Sequence, residues 1–207
     1  MNLKKLIAEG EHQMQDFKYT ISSVNKIAHS LSAFANTQGG RLLVGVRDDG
    51  RIAGVRSEEE IYMIDAAAQS FCKPAVECHM QTVREEGRVV LICTVEPSNK
   101  CPVRAKEENG TLCAYVRVAD ENIVASPVHL ELWRSGNKES ETLLNEKDCK
   151  WLSVFKDHGP MTLNLFCRKI HKPRHYSVRL LAQFLRFGLL RMFLHDHQWY
   201  FDLEDKE

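Results

Sequence analysis

The segment that decides the fold is AFANTQGGRLLVGVRDDG, residues 33–50. Residues 42–46 are mostly branched and apolar, which is typical of a buried strand. Asp49-Gly50 favours a tight turn after it, because Gly adopts positive φ freely and Asp tolerates it. Before the segment, apolar residues recur every three or four positions and predict a helix with one buried face, ended by Asn36 and the glycines; they are Ile21, Val24, Ile27, Ala28, Leu31, Phe34 and Ala35.

This helix, turn and strand resemble the central motif of the Schlafen AlbA_2 domain, a domain commonly described as DNA-binding. The resemblance runs from about Glu11 to about Leu132; Asp16-Phe17-Lys18 precedes the motif, and residues 114–118, AYVRV, are similar to a late strand of that family with its Arg. It implies an α+β fold in which helices pack on an AlbA_2-like mixed sheet. The family includes regulators, proteins labelled ATP-binding and nuclease-active Schlafens. The resemblance therefore leaves regulation, nucleotide binding and nuclease activity open as functions. AlbA-like folds often pair, so a homodimer is expected.

Composition sets limits on the function. The chain has 207 residues, of which 43% are apolar, and a formal net charge of zero, so any basic surface must be local. No apolar stretch approaches the ~18 residues that span a bilayer, and the N-terminal apolar run is too short for a signal peptide. We therefore expect a cytoplasmic protein with no membrane partner. The seven cysteines have no Cys-x-x-Cys spacing, which favours free thiols over disulfides or zinc.

The sequence predicts two domains. Residues 1–134 form the AlbA_2-like domain, with hairpins at 76–95 and 103–118 and a capping box that begins at Ser57. Residues 135–145 are polar and form a linker. Residues 146–207 contain three predicted helices followed by two strands, the element order of a small winged helix-turn-helix domain.

The C-terminal domain carries a local concentration of positive charge. No Asp or Glu lies between positions 168 and 191, a stretch that holds seven cations: Arg168, Lys169, Lys172, Arg174, Arg179, Arg186 and Arg191. Phosphate contacts from such residues supply most non-specific affinity for a duplex. The candidates to face the groove are Arg174, His175, Ser177, Arg179 and Gln183. The sequence therefore favours a nucleic-acid-binding protein, with DNA preferred over RNA, acting as a transcriptional regulator and needing no cofactor to bind. Winged helices that serve only in protein interaction remain an alternative.

A metal-dependent nuclease is another alternative, and it comes from the resemblance. Nuclease-active Schlafens pair two acids of a Glu-x-x-x-x-Glu segment with an Asp of the Gly-Val-x-Asp turn; the matching positions are Glu11, Asp16 and Asp48. Three such carboxylates would hold Mg²⁺ or Mn²⁺ for cleavage of structured RNA, with Lys18 on a phosphate. Asp16 replaces a Glu and reaches less far. The competing reading is local, with Asp48 as a turn former and Glu11 and Asp16 as surface charges.

A third alternative is a ligand loop formed by Asn36, Thr37, Gln38, Gly39 and Gly40. Phosphate-binding loops place their glycines between a strand and the N-terminus of a helix. Here the glycines follow a helix and precede a strand, which disfavours an ATPase. The polar side chains could still contact a nucleotide, although helix capping accounts for Asn36 and Gly39 more simply.

Overall fold

The computed structural model describes residues 2–55, 58–136 and 146–204. Its contacts divide the chain into two compact units, Met1–Val124 and Ala125–Glu207. The helix that begins at Pro127 packs within the second unit, whereas the sequence assigned it to the first domain. Most of the predicted linker, and Ser57 of the predicted capping box, lie outside the described residues. The domain limits therefore stay a prediction.

The first unit mixes helices and strands, which confirms the predicted α+β class. Its helices are α1 (Leu3–Ala8), α2 (Val24–Ala35) and α3 (Glu59–Ala66), the last continued by a π-helical turn at Ala67–Phe71. Its strands are β1 (Gln15–Lys18), β2 (Gly40–Val44), β3 (Cys72–Lys73), β4 (Cys78–Glu85), β5 (Arg88–Val95), β6 (Arg104–Lys106), β7 (Leu112–Val118) and β8 (Glu121–Val124).

Two four-stranded sheets organise this unit. The first has the order β1-β2-β5-β4, and the second has the order β3-β6-β7-β8. Strands β1 and β2 are parallel and are connected through α2, with Asp16 opposite Leu42, while the other neighbours in both sheets are antiparallel. The predicted hairpins are present as β4–β5 and β6–β7.

The central helix buries one apolar face, and the central strand buries both of its faces. Ser23 caps α2 through its hydroxyl, and the apolar stripe that includes Leu31 and Phe34 packs into a core shared with both sheets. On β2, Leu42 and Val44 join that core while Leu43 faces a second core beneath α1. A strand covered on both faces requires a continuous apolar run rather than an alternating one.

The second unit is built from short helices and a small sheet. Its helices are α4 (Pro127–Ser135), α5 (Glu146–Cys149), a 3₁₀ turn at Lys150–Leu152, α6 (Ser153–His158), α7 (Leu163–Ile170) and α8 (Arg174–Arg186). Its strands are β9 (Met161–Thr162), β10 (Leu190–His195) and β11 (Gln198–Leu203), in the order β10-β11-β9. A separate core that includes Phe155, Phe166, Phe184 and Phe201 holds them together. The assignment of this unit to the winged-helix class stays a prediction.

None of the described helices is both long and apolar enough to span a bilayer.

Candidate functional site

The side chain of Asn36, in the central motif of the first unit, is buried. Asn36 caps the C-terminus of α2, and its side-chain nitrogen donates to the carbonyl oxygens of Val103, at 2.7 Å, and Tyr115, at 2.9 Å. Its side-chain oxygen accepts from the Val103 amide at 2.8 Å. Both ends of the amide are engaged and the residue is 7% exposed, so Asn36 ties α2 to the second sheet and has little capacity left for a ligand.

The glycines of the motif are required by close packing. Gly39 has φ of +75°, and a Cβ there would lie 2.7 Å from the Val95 carbonyl oxygen. A Cβ on Gly40 would overlap the ring of Phe34. Thr37 donates its hydroxyl back to the Ala33 carbonyl, at 2.7 Å, whereas Gln38 is exposed. The turn therefore has a structural explanation at four of its five positions.

Two of the predicted acids, Glu11 and Asp16, are neighbours at and just before β1. Asp16 lies on β1 with its side chain 4% exposed, and its two oxygens lie 3.0 and 2.9 Å from Lys18 Nζ. Glu11 accepts from the Phe17 amide at 2.8 Å, and its carboxylate neighbours that of Asp16. Burial raises the pKa of Glu11, the neighbouring Asp16 carboxylate raises it further, and the Phe17 amide and Lys18 oppose the rise.

A buried arginine completes the arrangement around Asp16. The guanidinium of Arg117, on β7, is 1% exposed, and its Nη2 lies 3.4 Å from Asp16 Oδ1. Its Nη1 donates to Asn122 Oδ1 at 2.9 Å. Asn122 in turn donates to the Ser30 hydroxyl at 2.9 Å, and that hydroxyl donates to Asp16 Oδ2 at 3.2 Å. We call Asp16, Lys18, Ser30, Arg117 and Asn122 the Asp16 network.

The Asp16 network joins parts of the chain that are far apart in sequence. It connects β1 and α2 to β7 and β8, across about a hundred residues between Asp16 and Arg117. Sequence reasoning placed Arg117 on a strand but did not link it to Asp16, and it missed Ser30 and Asn122. The sequence did contain one relevant feature, because an Arg within an otherwise apolar strand indicates a buried charge that needs a partner.

The comparison with protein families agrees with this architecture. The family model described as "Schlafen, AlbA_2" matches residues 11–126, more than half of the chain. The chain belongs to the Schlafen AlbA_2 family. The predicted resemblance, from Glu11 through the central motif to the strand with Arg117, is confirmed, and the matched residues contain the whole Asp16 network.

Solved structures that are similar to the chain include the following two. The DIP2311 protein from Corynebacterium diphtheriae is 17% identical, with a TM-score of 0.47, over 82% of this chain and 32% of that one. The N-terminal domain of a RecG-related protein from Nitrosomonas europaea is 19% identical, with a TM-score of 0.45, over 70% of this chain and 96% of that one. The chain thus spans about a third of the DIP2311 chain. No curated protein matches it.

The AlbA_2 domain does not assemble the three carboxylates that the family resemblance implied for a metal. Glu11 and Asp16 are adjacent, but Asp48 lies in the exposed turn after β2. Within residues 2–55, 58–136 and 146–204, no group of three or more His, Cys, Asp or Glu is placed to hold a metal ion. Both oxygens of Asp16 already face Lys18, Ser30 or Arg117. As placed, these residues do not fit a divalent cation.

Lys18 is also committed within the AlbA_2 domain. Its ammonium contacts Asp16 and donates to the Phe17 carbonyl at 2.8 Å, and its side chain is 33% exposed. A phosphate would have to compete with the buried carboxylate for this ammonium. The predicted phosphate contact of Lys18 therefore finds less support than its role in the Asp16 network.

The second unit presents its cations to solvent. The exposed residues His175, Arg179 and Arg186 and the half-buried Gln183 follow one another on α8 at steps of four, four and three. At 100° per residue these positions form one stripe along the helix. Further exposed cations, Arg168, Lys169 and Lys172, lie at the end of α7 and before α8. The stripe and these three cations together form what we call the α8 surface.

Several members of the α8 surface have no internal partner. Among the described residues, no hydrogen bond or ion pair engages Arg168, Lys169 or Arg179. Arg186 donates to the Ser135 hydroxyl, and Lys172 lies 6.0 Å from the ring of Tyr176. These contacts leave the surface positively charged, because neither partner carries a negative charge.

Two predicted groove residues behave differently. Ser177 is fully buried, and its hydroxyl donates to the Pro173 carbonyl one turn earlier, at 3.3 Å. The prediction that Ser177 faces a groove was wrong, because on this helix its position falls on the core side. Arg174 is exposed at the start of α8, and its guanidinium donates to Asn164 Oδ1.

Proposed function

We propose that this chain is a nucleic-acid-binding protein that contacts duplex DNA through the α8 surface, as a regulator of transcription. The observation that carries the proposal is the stripe of His175, Arg179, Gln183 and Arg186 beside further exposed cations, in a chain with no net charge. Membership of the AlbA_2 family, commonly described as DNA-binding, supports the same class of ligand.

The chemistry of the α8 surface suits a duplex. Arg and Lys neutralise phosphates and release condensed counterions, so each contact strengthens binding most at low salt. Arg179 and Gln183 lie one turn apart near the middle of α8, and their side chains are of the types that pair with guanine and adenine edges in a major groove. The α8 helix would therefore combine orientation on the backbone with sequence reading.

The test is fluorescence anisotropy of the full chain with a labelled DNA duplex over a series of salt concentrations. We expect the logarithm of the association constant to fall linearly with the logarithm of salt, with a slope of about −0.9 for each phosphate contacted. Arg179→Gln removes one contact and should weaken binding while reducing the magnitude of the slope by about 1. Gln183→Ala should change the preference among sequences more than the salt slope.

Lys156→Gln is the matched control, because Lys156 is an exposed cation of the same unit on α6, away from α8 in sequence. It should leave both affinity and slope unchanged. The proposal fails if affinity does not respond to salt, or if Lys156→Gln and Arg179→Gln have the same effect. The latter result would indicate diffuse attraction to a charged protein. If the chain binds no duplex at any salt concentration, a protein-interaction module is favoured instead.

A second candidate, a Mn²⁺- or Mg²⁺-dependent nuclease, is favoured by one observation: the carboxylates of Glu11 and Asp16 are neighbours, and burial together with this neighbour raises the pKa of Glu11. The same preparation, incubated with labelled transfer RNA and Mn²⁺, tests it on a denaturing gel beside Asp48→Ala. Cleavage that disappears in the variant would establish the enzyme and would require Asp48 to approach the acid pair. Absence of cleavage would leave the carboxylates in their structural roles.

A further inference from the structure

The second unit contains a cleft of about 290 Å³. Its wall is formed by the starts of four elements: α4 with Pro127, α7 with Leu163 and Asn164, α8 with Arg174, and β11 with Trp199. None of the described residues that line it belongs to the α8 surface, and all but one of them follow position 126, where the family match ends. Its volume is close to the lower end of the range for small-molecule sites.

Arg174 supplies the charge of this cleft. Among the described residues that line it there is no Asp, Glu, Lys or His, and Arg174 is exposed. Its Nη1 donates to Asn164 Oδ1, which holds the guanidinium between the starts of α7 and α8. Within the described part of the chain, no other hydrogen bond or ion pair engages Arg174. A guanidinium has five N–H donors, so the edge formed by Nε and Nη2 can bind a carboxylate through two parallel hydrogen bonds.

An aromatic ring lines the same cleft. Trp199 is half-buried, and its ring packs edge-on against His129 with the centroids 4.5 Å apart. Burial lowers the pKa of His129 to about 4, so this neighbour is uncharged near neutral pH. Pro127 and Leu163 add apolar surface, and Gln198 adds an exposed amide. Small-molecule sites combine such an apolar lining with a few polar groups that orient the ligand.

We propose that this cleft binds a small aromatic carboxylate, with the carboxylate on Arg174 and the flat ring against Trp199. One guanidinium neutralises one carboxylate, whereas a phosphate monoester carries nearly two negative charges and the cleft offers it no second cation. The amides in the first turn of α7 have no intrahelical acceptor, and the positive end of the helix dipole favours an anion there. This site would act in addition to the α8 surface and does not depend on duplex binding.

The first test is isothermal titration calorimetry of the full chain with indole-3-carboxylate, beside indole-3-carboxamide. The two probes have nearly the same shape, and only the first is charged. We expect a Kd of about 1 mM or below for the carboxylate. The carboxamide should bind about tenfold more weakly, because it loses the charge-assisted hydrogen bonds. Equal affinities for the two probes, or no binding of the carboxylate up to about 10 mM, would overturn the proposal.

Substitutions at Arg174, Asn164 and Trp199 locate the site. Arg174→Gln should raise the Kd of the carboxylate about tenfold. Asn164→Asp places a carboxylate of the protein beside Arg174 and should have a similar effect, while an acid in the first turn of α7 suits the helix dipole and leaves the fold intact. Trp199→Leu should raise Kd about fivefold through the lost ring contact. Lys156→Gln is the control and should leave Kd unchanged. A Kd unaffected by Arg174→Gln would contradict the site.

A phosphate of bound DNA is the competing partner for Arg174. The salt series with labelled duplex separates the two possibilities. We expect Arg174→Gln to leave the salt slope of duplex binding unchanged while it weakens binding of the carboxylate. If it instead reduces the magnitude of that slope by about 1 and indole-3-carboxylate does not bind, the cleft is a DNA contact and the proposal is wrong.

Discussion

Substitution of Arg117 is the sharpest test of how the AlbA_2 domain is held together. Arg117→Met keeps much of the buried aliphatic volume but removes the guanidinium. The Asp16 carboxylate, whose side chain is only 4% exposed, then loses its ion-pair partner on β7. It also leaves Asn122 Oδ1 without its 2.9 Å donor and the Gln15 carbonyl without its 3.2 Å donor. Breaking a buried pair costs about 3–5 kcal/mol. Lys18 still neutralises part of the charge, so we expect a loss of about 3 kcal/mol.

The positions of the tryptophans allow the unfolding of the two units to be followed separately. Trp133, Trp151 and Trp199, the three tryptophans of the chain, all lie in the second unit. Urea unfolding followed by far-UV circular dichroism reports both units, whereas tryptophan fluorescence reports the second. Arg117→Met should lower the midpoint of the component seen by circular dichroism alone. A parallel shift in fluorescence would indicate that the two units unfold together, in which case the loss is read from the common transition.

The double variant Asp16→Asn/Arg117→Met distinguishes a stabilising Asp16–Arg117 pair from a metal-binding role of Asp16. If the two side chains stabilise each other, Asp16→Asn in the Arg117→Met background should recover 1 kcal/mol or more, and Asp16→Asn alone should destabilise. If Asp16 is instead a metal ligand held among repelling acids, Asp16→Asn alone should stabilise the metal-free protein. A loss below about 1 kcal/mol for Arg117→Met, or additive single effects, would refute the structural role of the Asp16 network.

Two further predictions follow from local geometry. Burial lowers the pKa of His129 to about 4 from 6.5, so the unfolded chain binds more protons between these values and the second unit should lose about 2 kcal/mol between pH 7.5 and pH 5. His129→Gln, which keeps an acceptor for the Ser126 amide, should flatten that dependence in fluorescence-detected unfolding; an unchanged dependence would contradict it. Gly40→Ala should cost about 2 kcal/mol or more by circular dichroism, because the added methyl meets the fully buried Phe34 ring. Gly110→Ala, in open space with φ of +84°, should cost only about 1 kcal/mol, and equal losses would contradict the steric argument.

Local signals in the sequence predicted much of the AlbA_2 domain. The apolar stripe before Asn36 identified α2, the branched run at 42–46 identified β2 to within two residues, and charged turns identified the β4–β5 and β6–β7 hairpins. Such elements are specified by neighbours within a few positions. Strands β3 and β8 were not predicted, since β3 has two residues and β8, ENIV, carries no clear alternation. Their existence depends on pairing with β6 and β7.

The candidate site was harder to predict because it depends on register. Asp16 reaches Arg117 only because β1 lies parallel to β2 and α2 packs across β7, and neither fact is written in the residues near position 16. Asp48 illustrates the opposite error. Its motif position suggested convergence with Glu11 and Asp16, but an Asp-Gly turn after a strand projects outward for local reasons. For Ser177, a polar residue type suggested exposure, whereas the hydroxyl bonds its own helix.

The two units differ in whether their polar side chains already have partners within the protein. We use this difference to infer where a ligand would bind. In the AlbA_2 domain, Asn36, Asp16 and Arg117 are almost fully buried and have hydrogen-bond or ion-pair partners on other elements of the same domain. A ligand there would have to replace interactions that hold two sheets and a helix together. On the α8 surface, Arg179 is exposed and engages none of the described residues. A phosphate that binds Arg179 displaces only water and counterions, so binding costs the fold nothing and gains entropy from the released ions. We therefore expect nucleic acid to bind first at the α8 surface.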